Sequence, residues 1–394
     1  MSTTTTASSP SAGSVFFSYG FRPFFLSAAL WAVLAMALWL GMMTGRVILP
    51  SAFDPVSWHA HAFLFGYLSA VIAGFLLTAV PNWTGRAPLR GAPLAGLFAL
   101  WVCGRIAVLL SLLLPPLLVA LVDLAMPVAL SVVIAREIVA GRNWRNLIVL
   151  GMLAVFATGN AVFHWEAARG MYAAQGVGLR LGLAAAVMMI AVIGGRIVPA
   201  FTGNWLKAQG EARRPAAPMQ RFDKGALLVL LAALVLWVSL PGHAVTGAAL
   251  ILAGIVHLLR LGRWAGERTV KEPLLMVLHL AYLLLALGAL AMGLGEGVIG
   301  LATAQHVWMG GAIGLMTLAV MTRATLGHTG RPLRAGRGTI GVFAALLIAV
   351  GARVAAGFWP EAAGGLHTVA GVAWIGAFGG FAVFNAPAMV RPAP

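Results

Sequence analysis

The sequence predicts an all-α polytopic membrane protein of about twelve transmembrane helices. One observation is composition: 61% of the 394 residues are apolar and 9% are charged, whereas a soluble domain averages about 25% charged. A second is spacing: apolar runs recur between short polar loops, each run near the roughly 20 residues a helix needs to cross a bilayer. A third is charge placement. The 26 Lys and Arg concentrate in every second loop, as the positive-inside bias requires. The formal charge of +16 therefore reads as loop asymmetry and gives no support to nucleic-acid binding.

The opening residues 1–19 read as a disordered tail, Ser/Thr/Ala-rich through Ser14. The membrane domain is expected over 20–387, with a short tail at 388–394. Gly20-Phe21-Arg22-Pro23-Phe24-Phe25 leads into a first span near 24–43, and the second runs from about 57 to 80. Spans three and four fall near 94–111 and 115–135, hinged at Pro115-Pro116. Spans five and six fall near 147–165 and 177–198, and the longest loop follows at 199–224. Spans seven to ten fall near 225–241, 244–260, 273–293 and 299–322, and the last two near 339–358 and 366–387. The single cysteine, Cys103, lies in an apolar run and reads as a small packed residue, which excludes disulfides and cysteine metal clusters.

Basic residues cluster around Arg86, Arg142, Arg213, Arg268 and Arg334, while the alternate loops carry Asp54, Glu166, Glu296 and Glu361. Both termini are therefore expected in the cytoplasm. His59, His61, His164, His243, His306 and His367 then gather toward the outer face, and His257, His279 and His328 toward the inner one. Trp58, Trp83, Trp144, Trp165, Trp205 and Trp264 fall near span ends and read as an interfacial belt.

Three segments end alike: Pro81-Asn82-Trp83-Thr84-Gly85, Pro199-Ala200-Phe201-Thr202-Gly203 and Gly327-His328-Thr329-Gly330. They are expected to close spans two, six and ten, a period of four helices. The shift that carries Thr84 onto Thr329 also carries His61 onto His306 and Gly66 onto Gly311. A looser echo links Val102-Cys103-Gly104-Arg105 with Val350-Gly351-Ala352-Arg353. Three four-helix repeats would make a pseudo-threefold bundle, with sites at repeat interfaces. By analogy alone, the haem-copper oxidase core has such an arrangement.

An ionisable residue within a span is a functional candidate by default. His61 and His306 stand at matching depth on equivalent helices, as axial ligands of a haem must. Small neighbours, Gly66 and Gly310-Gly311, would let a macrocycle approach, and Arg46, Arg169 or Arg180 could meet its propionates. His59 and His61 are two apart, so on a regular helix they face about 200° from each other. His59, His164 and His367 could then form a separate copper-type site, because imidazole suits copper; the alternatives are His59 and His61 on one metal if the helix begins after His59, His59 as itself a haem ligand, or interfacial histidines bonded to backbone. His279 reads as a ligand, a proton relay or a carbonyl-bonded histidine. His328 reads as part of a tight glycine turn, His243 as a solvated turn and His257 as interfacial. Asp123, acidic and mid-span, needs a partner or a proton. Arg105, Arg196 and Arg353 read as partly buried cations, some reaching for the inner surface.

Taken together, Gly20-Phe21-Arg22-Pro23-Phe24-Phe25, Trp58-His59-Ala60-His61, Ala73-Gly74-Phe75-Leu76-Leu77-Thr78, Asn160-Ala161-Val162-Phe163-His164, Gly195-Arg196-Ile197-Val198-Pro199, Leu278-His279-Leu280-Ala281-Tyr282 and the segment from Arg323 to Arg331 resemble the NnrS family over nearly the whole chain. The resemblance implies a twelve-span bacterial inner-membrane protein containing haem, of b type, and copper, tied to nitric oxide and denitrification. It carries metal or haem roles to His59, His61, His164, His279, His306 and His328, and it implies an electron donor that the sequence does not identify. The family pattern has Glu and Met after the second histidine of the pair, where this chain has Ala62 and Phe63. Three functions follow as expectations: a haem-copper protein handling nitric oxide, a multi-span transporter, or a haem-based sensor without turnover.

Overall fold

The computed structural model describes residues 12–392 apart from Glu296, so the acidic residue expected at 296 lies outside the described residues. Twelve helices are long and apolar enough to cross a membrane. Spans one to four are Phe21–Met43, Pro55–Thr84, Ala92–Leu109 and Pro116–Ala140. Spans five to eight are Trp144–Ala168, Val177–Ala208, Arg221–Ser239 and Ala244–Gly262. Spans nine to twelve are Pro273–Leu294, Leu301–His328, Arg337–Phe358 and Pro360–Val390. No strand occurs among the described residues. Successive spans run in opposite senses. One face of the bundle therefore carries the basic loops and the other carries the ends rich in histidine.

The helix ends follow ordinary rules. Asp54 caps span two, its Oδ1 accepting from the amides of Val56 and Ser57 at 3.0 and 2.9 Å, with Pro55 at the first helical position. Gly85, at φ +70°, ends the same span in the left-handed conformation. Glu166 at the end of span five reaches the start of span six, accepting from the amides of Val177 and Gly178 at 2.7 and 3.1 Å. A carboxylate at a helix N-terminus is favoured by the dipole and satisfies orphan donors.

The four-helix period is visible in the packing. Spans two, six and ten touch one another at the centre, and span twelve packs on span one to close the outer ring. In the apolar stretch of spans two, six, nine and ten, 83%, 72%, 67% and 67% of residues are buried, against 33% in span one, so these four helices form the core and the others shield it from lipid. Spans two, six and ten each contain a π-helical stretch: Ala62–Tyr67, Ile190–Gly194 and Val307–Gly314. In spans two and ten that stretch begins directly after His61 and His306, the pair the repeat aligns. Wide turns of this kind release backbone groups from the regular ladder and recur at functional sites. Here the Trp31 indole donates to the freed Ala62 carbonyl at 2.8 Å.

Several boundaries differ from expectation. Span six continues through Thr202-Gly203 to Ala208; Pro199 does not end it, because packed neighbours re-satisfy the backbone around proline in membrane helices. Of the tail expected at 1–19, residues 1–11 lie outside the described residues; 12–16 are helical, Val15 is buried and Phe17 meets Phe98. The C-terminal boundary also moves. Arg22 donates to the carbonyls of Ala388, Met389 and Arg391 at 3.0–3.1 Å, which ties the start of span one to the end of span twelve. Cys103 is exposed on span three, and Trp58 and Trp264 are fully buried, outside the aromatic belt.

Candidate metal centre and cavity

Two groups of polar side chains form at the histidine end, and they divide the predicted residues differently from the sequence reading. The first is a closed network around Asp123. His61 and His164 both donate from Nε2 to Asp123 Oδ2, at 3.1 and 3.0 Å. Asn160 donates to the same oxygen at 2.8 Å, and its own Oδ1 accepts from His61 at 3.0 Å. Arg105 pairs with the other oxygen, Oδ1. All five residues are buried. The candidate ligand atoms of His61, Asp123 and His164 lie within 4.8 Å of one another.

Local structure explains the convergence. Arg105 and Asp123 flank the tight turn between spans three and four, so the hairpin sets them at one depth. Asn160 and His164 are four apart and share a helix face. Span five is drawn against span six where Gly159 meets the backbone of Gly182, with no space for a Cβ. Gly66 likewise leaves room for others: a Cβ there would stand 2.5 Å from Arg105 Nη1 and 2.8 Å from Trp31 Nε1. Phe53 covers the group, its ring centre 5.4 and 5.5 Å from those of His61 and His164. His61 Nδ1 is buried without a partner.

The second group lines a cavity of about 320 Å³ between spans one, two, ten, eleven and twelve. His59, His306, His367 and Arg353 supply its charge and lone pairs, and Trp39, Phe63, Met309 and Trp374 much of its apolar wall. The His59 and His306 rings lie 6.4 Å apart and 13° from parallel. Trp39 stacks on His59 at 4.3 Å. His306 Nδ1 donates to the Ala302 carbonyl at 2.6 Å, which leaves Nε2 as the unprotonated nitrogen of the neutral ring. His59 Nδ1 is buried and unpartnered. Tyr172, in the loop before span six, also borders the cavity. Burial, then the charge of Asp54, raises the pKa of its hydroxyl and keeps it a donor.

The expected pairing of His61 with His306 is corrected. His61 belongs to the Asp123 network and His306 faces His59, because residues two apart on the regular helix Pro55–His61 point to opposite sides. By the same geometry His164 joins His61, and His367 joins the cavity. Gly66 makes room for Arg105 and Trp31, not for a macrocycle. Arg180 does not line the cavity; it donates to the Gln175 carbonyl at 2.7 Å. His279 and His328 lie toward the basic face and join neither group. His279 bonds Thr202 at 2.9 Å, and His328 stacks on Tyr19 at 5.5 Å. His257, expected at an interface, is fully buried. Arg105 and Arg353 sit at the histidine end instead of reaching for the inner surface. The partnership of Arg105 with Asp123 and the role of Asn160 were not anticipated, although the short hairpin and the four-residue spacing both carry that signal.

The family model described as NnrS protein matches residues 15–393. The chain belongs to the NnrS family. A comparison with curated proteins finds no match. Its membership covers both groups of histidines and every span.

Proposed function

We propose that this NnrS-family protein is a haem- and copper-binding protein of the bacterial inner membrane that handles nitric oxide, with its histidine face outward and both termini in the cytoplasm. The observation that carries the reading is the His59–His306 pair across a cavity between two central helices. Imidazoles that share one metal ion, each at about 2.0–2.1 Å through the facing nitrogen, have ring centres about 6 Å apart. The observed 6.4 Å fits that requirement. The bond from His306 Nδ1–H to a backbone carbonyl is the kind of contact that orients a ligating imidazole. The wall is largely apolar, as a macrocycle's surround would be, and His59 and His306 would hold the haem, which supplies a redox-active iron able to bind nitric oxide.

The network of His61, Asp123 and His164 would hold the copper. Two imidazoles suit it, and Arg105 would leave one carboxylate oxygen for the ion. The same two-histidine, one-carboxylate set also suits non-haem iron, which is the second reading. Asn160 and Arg105 would fix the carboxylate whichever ion is present. An external electron donor would be needed for turnover. The buried carboxylates Asp123 and Asp223 are each paired with an arginine, which favours a metal-centred role over transport.

The test is absorption spectroscopy with metal analysis on purified protein. His59→Ala and His306→Ala should each lose the low-spin haem spectrum, while His61→Ala and His164→Ala keep the haem and lose the second metal. Copper in that fraction supports the first reading, and iron the second. Full haem in a folded His59→Ala or His306→Ala protein would refute the haem assignment.

A further inference from the structure

The first and third repeats correspond at more positions than the central histidines. A shift of 245 carries His61 onto His306, one of 248 carries Arg105 onto Arg353, and one of 244 carries Asp123 onto His367. The helices agree: Asp123 and His367 each stand seven residues past the proline that opens spans four and twelve. Both repeats therefore place an imidazole on the central span, a guanidinium on the next and a third polar residue on the last. They differ at one chemical point. In the first repeat the third residue is a carboxylate, which pairs with the guanidinium and closes the site. In the third repeat it is a histidine. Arg353 has no ion pair or hydrogen bond among the described residues, and it is half-buried on the cavity wall with His367, Gln305 and Tyr172.

An arginine at this depth carries its charge whatever its surroundings, and a cation without a counter-ion there is costly. We infer that Arg353 and His367 form an anion site at the cavity, taking a carboxylate or a small planar oxyanion in the place that Asp123 fills in the first repeat. Planar two-oxygen anions match the fork of guanidinium donors. Gln305 and Tyr172 add neutral donors on the same wall. The anion is either a carboxylate carried by a group bound in the cavity or a free oxyanion; the inference rests on the haem reading for the first source only.

The test is titration of the purified full-length protein with nitrate, followed by calorimetry and by the fluorescence of the cavity tryptophans Trp39 and Trp374. The content of the cavity-bound group is measured in parallel. If the site takes a free oxyanion, nitrate binds saturably to wild type, and Arg353→Gln weakens it at least tenfold. If a bound group's carboxylate occupies it, nitrate does not bind and Arg353→Gln lowers the content of that group instead. Arg353→Lys should retain part of either effect. His367→Asp rebuilds the pair of the first repeat and should close the site while keeping the guanidinium. Nitrate affinity and group content both within twofold of wild type, in folded Arg353→Gln and His367→Asp proteins, would overturn the inference. Loss of haem in His59→Ala, or its absence from wild type, bears on the haem reading alone, because nitrate binding is measured without it.

Discussion

Two buried guanidinium–carboxylate pairs lie toward opposite ends of the bundle. Arg105 meets Asp123 at the histidine end, and Arg260 meets Asp223 toward the basic face, Nε to Oδ1 at 2.8 Å. Each has histidine close by. Toward the basic face, Asp223 Oδ2 accepts from the Gln220 amide at 3.1 Å. Arg260 Nη1 donates to the Ala191 carbonyl at 2.9 Å and to the Tyr282 hydroxyl at 2.7 Å. Tyr282 donates to His257 Nδ1 at 2.8 Å, and His257 Nε2 donates to the Ala226 carbonyl at 3.1 Å. Both nitrogens of His257 are therefore committed to protein partners. At the histidine end two imidazoles aim the same nitrogen at one carboxylate oxygen. The difference teaches that histidine, aspartate and arginine in one buried group do not make a metal site. A metal site needs ligand atoms that converge; bonds already committed to protein partners make a structural tie instead.

The largest expected effect tests that tie. Arg260→Met leaves Asp223 as an unpaired buried charge and strips the donors from Tyr282 and Ala191. Removing one partner of a buried pair costs about 3–5 kcal/mol. The variant should give little folded protein and a markedly lower midpoint in thermal unfolding, with the metal content of whatever folds unchanged. A variant as stable as wild type would show that this pair is not a structural tie. Gly195 belongs to the same prediction: a side chain there would run into the Arg260 guanidinium.

The fold was largely legible in the sequence, and the sites were half legible. Hydrophobic length and the alternation of basic loops carried the twelve spans, because both are one-dimensional signals. The repeat carried the equivalence of spans two, six and ten, and their central position came from the structure. Partners across helices were harder. The shift that aligns His61 with His306 identifies equivalent positions, and equivalent positions around a pseudo-threefold axis need not face each other. Helical periodicity separated His59 from His61, but which neighbour each would meet depends on how spans four, five and twelve dock. Arg260 and Asp223, 37 apart in sequence, left no local signal of their pairing.

Intermediate effects should separate the two networks by what is lost. His164→Ala removes a candidate ligand from the first, and His257→Ala removes a link from the second. His257→Ala leaves the buried Tyr282 hydroxyl without its acceptor, a cost of about 1–3 kcal/mol, whereas Asp123 keeps Arg105, His61 and Asn160 in His164→Ala. His257→Ala should therefore be the less stable of the two by thermal unfolding. Metal analysis should divide them: the non-haem metal disappears from His164→Ala and stays at the wild-type level in His257→Ala. Equal metal content in both would remove the distinction drawn between the two ends.

The smallest expected effect falls on Asn160, which touches the carboxylate without being counted among the ligands. It donates to Asp123 Oδ2 at 2.8 Å and accepts from His61 Nε2 at 3.0 Å. It thereby holds the carboxylate and the imidazole at fixed separation. If His61 and Asp123 take a metal ion, Asn160 keeps the carboxylate in place while the imidazole proton departs. Outer partners of this kind typically contribute 10–100-fold to metal affinity, roughly. Asn160→Ala should weaken the non-haem metal by about that factor in competition with a chelator, and leave the haem spectrum as it is. Asn160→Asp sharpens the comparison. It adds a second carboxylate beside Asp123 with only Arg105 to balance both, so without metal it should destabilise the fold. A divalent ion would neutralise the excess, so added metal should raise the unfolding midpoint more in Asn160→Asp than in wild type. If added metal leaves that midpoint unmoved, the Asp123 network is a structural tie like the one at the other end.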